Sequence, residues 1–298
     1  MGGIAFVFSG QGDQHPGMGR ALWETYPAAR RVFAMCDEIR PGTAAQCFAG
    51  TAEELKQTAN TQPCLFAMEL AAAEVLQEKG IVPDAVAGFS LGEVTAAAFA
   101  GCFPARTGFS LVCRRGELMQ AAAEASDTAM AAVVKLPAET VEALCQRCPD
   151  LYPVNFNGPG QTVVSGLASR MPAFSAEVKA AGGRCIHLKV GGAFHSPFMA
   201  EAADAFAKEL AAADMRRGTI PLYSDVTAQP YAENSAALLA RQIASPVRWE
   251  ALVRNLIAAG IDTFVEIGPG STLTNLIRRI DPRVTACTYC AYLEEPSC

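Results

Sequence analysis

Residues 84–92 read Asp84-Ala85-Val86-Ala87-Gly88-Phe89-Ser90-Leu91-Gly92. A short apolar run of strand type meets a G-x-S-x-G turn, and residues 91–100 continue in a helical pattern. Glycines on either side of a serine permit a tight strand-to-helix turn. Ser90 then projects from the top of a sheet, and the backbone N–H groups that follow face the same space. Without the strand and helix, the pentapeptide would describe only a glycine-rich turn with a spectator serine.

Strand and helix patterns alternate on both sides of this turn. Residues 4–8 form a buried-type strand that runs into the loop SGQGDQHPGMG, and residues 20–36 read as one helix. Residues 61–79 read as a long helix with Pro63 in its first turn and Gly80 at its end. This order predicts an α/β fold with an α/β-hydrolase-like core and a mainly parallel sheet. Between about 129 and 189 the rhythm changes to MAAVV, AETVEALCQR, YPVNF, QTVVSG, SRMPAFSAEVKAA and RCIHLKV. That βαββαβ order is ferredoxin-like. It predicts an inserted small subdomain at 129–189, with residues 1–128 and 190–298 forming the large core. Helices at 196–213, 237–242 and 271–280 and a strand at 263–267 complete the core pattern.

The 298-residue chain carries 24 Lys and Arg against 30 Asp and Glu, a formal charge of −6. A nucleic-acid binder normally concentrates basic residues, and no such cluster occurs here. Hydrophobic residues make up 51% and charged residues 18%, enough apolar material for a large core and too much for a disordered chain. The longest stretch free of charge, between Asp150 and Arg170, contains Asn155, Asn157, Gly158 and Pro159, which argues against a membrane span. The opening MGGIAFVFSG has neither a basic n-region nor a cleavage site. A soluble cytoplasmic protein is expected.

Eleven cysteines without an export signal point to reduced thiols. Cys145 with Cys148 and Cys287 with Cys290 have metal-like spacing, but most of the chain separates the pairs, and no metal site is expected.

A serine nucleophile needs a base within hydrogen-bond reach. The chain has three histidines. His15 falls in the first glycine-rich loop, and His187 alternates with Cys185 and Lys189 on a strand. His195 lies in GGAFHSPF, where the chain re-enters the core, and is the better candidate. No Asp or Glu between Ser90 and His195 stands in a supporting motif, although Asp127 and Asp150 are available. A backbone carbonyl can orient the imidazole instead, so a dyad is feasible.

Taken together, these residues resemble the malonyl-CoA:acyl carrier protein transacylases, which share their fold with polyketide acyltransferase domains. The likeness spans the chain through AFVFSGQGDQ, TQPCLFAMELA, GFSLGE, RRGELMQ, VNFNGPGQTVVSG, GAFHSPFM, RQIASPVRW and EIGPG. It implies Ser90 as the acyl-accepting nucleophile and His195 as its base. The backbone N–H groups of Gln11 and Leu91 would form the oxyanion hole, a device that stabilises charge growing on the thioester oxygen. The main-chain carbonyl of Gln242 would orient the histidine. Arg115 would clamp the malonyl carboxylate with a planar fork that stays charged when desolvated, leaving Arg114 as a surface residue. Phe194 beside His195 favours malonyl over methylmalonyl by the same analogy.

Two positions depart from the family pattern. Phe89 stands where histidine usually precedes the nucleophile, so His195 must move protons alone, and Asp13 stands where the opening motif has serine. The resemblance implies malonyl transfer from coenzyme A to the phosphopantetheine thiol of acyl carrier protein through a malonyl-serine ester, in fatty-acid biosynthesis. Malonyl-CoA is then a substrate and no cofactor is required. A trans-acting malonyl acyltransferase of a polyketide synthase would share every residue named, and a serine thioester hydrolase is the more distant alternative. An acidic carrier would need a local basic patch on this acidic chain, with Lys189, Arg278 and Arg279 as candidates.

Overall fold

The computed structural model describes residues 2–188, 190–232 and 235–294. Its strands are β1 (Gly3–Phe8), β2 (Ala85–Gly88), β3 (Thr128–Val134), β4 (Leu151–Gly158), β5 (Gln161–Leu167), β6 (Arg184–His187), β7 (Leu222–Tyr223), β8 (Ile261–Ile267) and β9 (Thr285–Thr288). They form two sheets. The larger has the order β7-β2-β1-β8-β9, and every pairing in it is parallel.

The near-continuous apolar runs of β1, β2 and β8 follow from helices covering both faces. Phe6 and Phe8 point into the core that holds the helix Thr58–Glu78, while Ala5 and Val7 point to the opposite core around Trp249 and Leu252. The helix Thr58–Glu78 is apolar nearly all round because it is buried nearly all round.

The smaller sheet, β4-β5-β3-β6, is antiparallel throughout. Its strands and the helices Ala138–Arg147 and Met171–Ala180 follow in βαββαβ order, the ferredoxin-like arrangement. It has its own core, in which Val133, Val164, Phe174 and Val178 pack together. A hydrogen-bonded crossing joins it to the large unit, where Phe156 N–H donates to Val247 O and Val247 N–H to Val154 O.

Three expected elements differ. The single helix at 20–36 is two helices, Arg20–Thr25 and Pro27–Ile39, with Tyr26 extended between them. Proline disfavours the helical region for the residue before it and lacks the N–H that would continue the helix, so Pro27 starts a second one. The helix expected at 61–79 begins a turn earlier, at Thr58, and takes Pro63 inside. Gln120 Oε1 accepts the Ala59 N–H in its first turn at 3.0 Å. The strand expected over 184–190 ends at His187.

Topology places the site. β1 lies between β2 and β8, with Phe8 in register with both Gly88 and Ile267. The carboxyl ends of three strands therefore open side by side, which is where ligands bind in open α/β sheets. Among the described residues, no helix is long and apolar enough to cross a membrane.

Candidate active site

Ser90 sits directly before the helix Leu91–Phe99 with φ 56 and ψ −106, a strained conformation for a residue with a side chain. The flanking glycines make this turn possible. A Cβ on Gly88 would stand 2.0 Å from Glu93 N, and one on Gly92 would stand 2.2 Å from Phe8 O. The chain is thus folded tightly enough on itself to push the serine side chain outward.

Across from it, His195 Nε2 lies 2.8 Å from Ser90 Oγ. Its other ring nitrogen, Nδ1, faces two carbonyls, Gln242 O at 3.0 Å and Ser245 O at 3.2 Å. A carbonyl can only accept, so Nδ1 carries the proton and Nε2 is free to accept from the serine hydroxyl. Burial pushes the imidazole pKa down to about 4, Arg115 pushes the same way, and the two carbonyls oppose them. His195 is therefore neutral at physiological pH. His195 also has positive φ, and its loop is pinned by Ser165 Oγ donating to Phe194 O and Ser196 Oγ donating to Ala193 O. His15 and His187 are exposed, and neither hydrogen-bonds Ser90.

Arg115, from the helix Ala105–Glu124, is fully buried. Its Nη1 donates to Gln62 Oε1 at 3.0 Å, and its Nη2 to Gln242 Oε1 at 2.7 Å and Ser90 Oγ at 3.3 Å. Desolvation lowers its pKa to about 10 against the pull of Asp225 and Glu93, so it remains cationic. Its neighbour Arg114 is on the surface and pairs with Glu117 and Glu209. Gln62 Nε2 donates to Gln11 Oε1 at 3.1 Å, tying the guanidinium's support to the first glycine-rich loop. The backbone amides of Gln11 and Leu91 donate to no partner among the described residues, which leaves both available to an incoming oxygen.

Several further residues gather behind the serine. Gln242 contributes its side chain as well as its carbonyl, with Nε2 donating to Ser90 O at 2.6 Å. Ser90 N–H donates to Asp225 Oδ2 at 2.8 Å, and Asp225 N–H to Glu93 Oε2 at 2.9 Å. Tyr231 OH donates to Glu93 Oε1. Burial raises the pKa of both carboxyls. Glu93 belongs to the GFSLGE segment, but Asp225 and Tyr231 stand in no motif and reach the site only through the fold.

A cleft of about 240 Å³ opens in front of Ser90 and His195. Gln11, Phe89, Met119 and Thr272 line it from the large unit, and Asn155, Asn157 and Val163 from the small sheet. The Oδ1 atoms of Asn155 and Asn157 are buried without a partner among the described residues. Of the three basic candidates for a carrier patch, Lys189 lies outside the described residues. Arg278 is committed to Ala286 O through Nε and Nη2, and Arg279 donates to Gln161 Oε1.

A serine poised against a neutral imidazole, with free amides beside it, is built for acyl transfer. The chain belongs to the acyl transferase domain family, which it matches over residues 5–287. It is 39% identical over 292 residues to the malonyl CoA-acyl carrier protein transacylase of Bacillus subtilis strain 168, covering 95% of this chain and 92% of that protein. The enzyme of that name from Escherichia coli K12 is 35% identical over 305 residues, covering 99% and 96%. A malonyl-transacylase solved with its type II polyketide synthase acyl-carrier protein superimposes with a TM-score of 0.92 at 34% identity, covering 96% of this chain and 95% of that one.

Proposed function

We propose that this protein transfers a malonyl group from coenzyme A to the phosphopantetheine thiol of acyl carrier protein, through an ester on Ser90. His195 Nε2 takes the hydroxyl proton as Ser90 Oγ attacks the thioester carbon. The oxyanion is held by the amides of Gln11 and Leu91. Collapse expels the coenzyme A thiolate, which takes the proton from His195. The carrier thiol then gives its proton to His195, attacks the ester carbon, and Ser90 leaves as the hydroxyl. No cofactor enters this sequence, and ping-pong kinetics follow.

The observation that carries the reading is the Arg115 guanidinium, 3.3 Å from the nucleophile and fully buried. The free carboxylate of a malonyl ester on Ser90 would lie within reach of that fork, whereas a hydrolase of plain acyl thioesters has no use for it. Fatty-acid biosynthesis in the cytoplasm is the proposed setting. Service to a polyketide synthase is the second reading, favoured by the likeness to a transacylase that pairs with a polyketide carrier.

Radiolabelled malonyl-CoA should leave acid-stable label on the wild-type protein and none on Ser90→Ala. Label persisting in the variant would move the nucleophile elsewhere. Transfer from the labelled enzyme to carriers of each pathway separates the two settings.

A further inference from the structure

Glu93 and Asp225 are two fully buried carboxyl groups that the reaction itself does not use. The Asp225 amide donates to Glu93 Oε2 at 2.9 Å, and Gln242 Nε2 stands 3.3 Å from that oxygen and 3.2 Å from Asp225 Oδ2, so the two carboxyls crowd one donor. Ionised carboxylates only accept, so the two can hydrogen-bond each other only with a proton between them. The donors around the remaining oxygens are few. Glu93 receives Tyr231 OH and the Asp225 amide, and Asp225 Oδ2 receives the Ser90 amide. Asp225 Oδ1 is buried with no partner among the described residues. Gln242 Nε2 lies 3.3 Å from Glu93 and 3.2 Å from Asp225, but its shortest contact is with Ser90 O. This donor set is too sparse for two carboxylates side by side and sufficient for one negative charge.

The nearby cation is Arg115. Gln242 links it to the pair, accepting from the guanidinium through Oε1 and donating toward both carboxyls through Nε2. Asp225 and Glu93 are also the charges that most favour the protonated guanidinium. We propose that Glu93 and Asp225 hold one proton between them, and that the pair's single negative charge is the resident counter-ion of Arg115 and the brace of the Ser90 backbone.

These are positioning residues. The pair neutralises Arg115 while the acyl pocket is empty, and Asp225 holds the amide of a residue kept in a strained conformation. Either carboxyl alone can carry one charge. Asp225→Asn leaves Glu93 as the carboxylate, Glu93→Gln leaves Asp225, and only the double variant strands Arg115 without an anion.

The closing experiment uses the full chain. With carboxyl-13C aspartate and glutamate, the wild type at pH 7 should show this pair with one protonated carboxyl. Asp225→Asn should convert Glu93 to an ionised carboxylate. Two ionised or two protonated carboxyls in the wild type would overturn the proposal. This readout involves no substrate, so it stands or fails apart from the malonyl assignment.

Thermal unfolding supplies the second arm. Each single variant should lose about 2–4 °C, and the double variant more than the sum. Free malonate should raise the melting temperature of the double variant more than that of the wild type, because it supplies the missing anion beside Arg115. Additive losses with equal malonate shifts in all four proteins would also reject the counter-ion role. Should the double variant fail to fold, the carboxyl signals of the wild type and single variants still decide.

Discussion

The two sides of Ser90 are built from opposite materials. In front lies a largely apolar cleft beside His195, the proposed base, whose Nδ1 proton is held by the carbonyls of Gln242 and Ser245 rather than by an acid. Behind lies a buried polar cluster in which Arg115, Gln242, Glu93, Asp225 and Tyr231 are linked by hydrogen bonds, while Arg115 Nε and Asp225 Oδ1 find no partner among the described residues. Both tasks need polar groups out of water, but they need different charge states. A proton acceptor works best neutral, and dipoles can orient it without an ion pair. A carboxylate clamp must stay charged, and a buried cation is tolerable only with hydrogen bonds and a counter-charge. The two meet at Gln242, whose carbonyl faces His195 and whose side chain faces the carboxyl pair, and at Ser90, whose amide Asp225 holds.

The strongest way to break this contrast is to remove the cation behind the serine. Arg115→Ala should lower kcat/KM for malonyl-CoA by on the order of 10²–10³, because the substrate carboxylate loses its partner and meets the negative charge of the Glu93–Asp225 pair. Acetyl-CoA turnover should persist or rise, since an acetyl group brings no charge. A kinetic panel of the two thioesters checks this. Equal loss on both would reduce Arg115 to a structural support for Gln62 and Gln242.

Much of the front was legible from sequence, and little of the back. Ser90 and its glycines are local: strand, turn and helix lie within a few residues, and the steric demand at Gly88 and Gly92 is written in the pentapeptide. His195 could be chosen from three histidines by elimination, while Arg115 and Gln242 needed the family resemblance. Asp225 is 135 positions from the amide it holds, in a segment without glycine punctuation or a motif. Tyr231 is 138 positions from Glu93. Such pairings arise from the parallel crossovers that bring β7 beside β2, and β7 is only two residues long, too short to leave a periodic signature. The break at Pro27, by contrast, was present in the sequence. The helical pattern at 20–36 hid it because both helices bury apolar residues against the same core.

A pH profile sharpens the contrast from the front. As the proposed base, His195 can act only as neutral imidazole, and its pKa in the folded protein is depressed to about 4. Activity is therefore present above that value and lost as pH falls through it. Pre-steady-state acylation should stay nearly level from pH 8 to pH 5. A histidine with the ordinary value near 6.5 would retain only about 3% of its neutral form at pH 5, so the two cases differ about thirty-fold there. An inflection near 6.5 would mean that water reaches His195 in solution and that the front is wetter than its burial indicates.

The smallest effect is expected at Phe89, where the front departs from the family pattern. Its ring packs against Trp249 at 5.5 Å between centroids, tilted by 59°, and lines the cleft beside Ser90. Phe89→His removes an aromatic pair worth about 0.5–1.5 kcal/mol and places a polar ring against a buried indole. The His195 contacts to Ser90, Gln242 and Ser245 do not pass through it. Stability should fall by about that amount in denaturant unfolding, while malonyl kcat/KM changes less than about tenfold. A larger gain in rate would show that proton transfer in front of Ser90 is limited by one base acting alone. A larger loss would show that the Phe89–Trp249 contact holds the elbow itself, and that the front depends on packing as much as the back depends on charge.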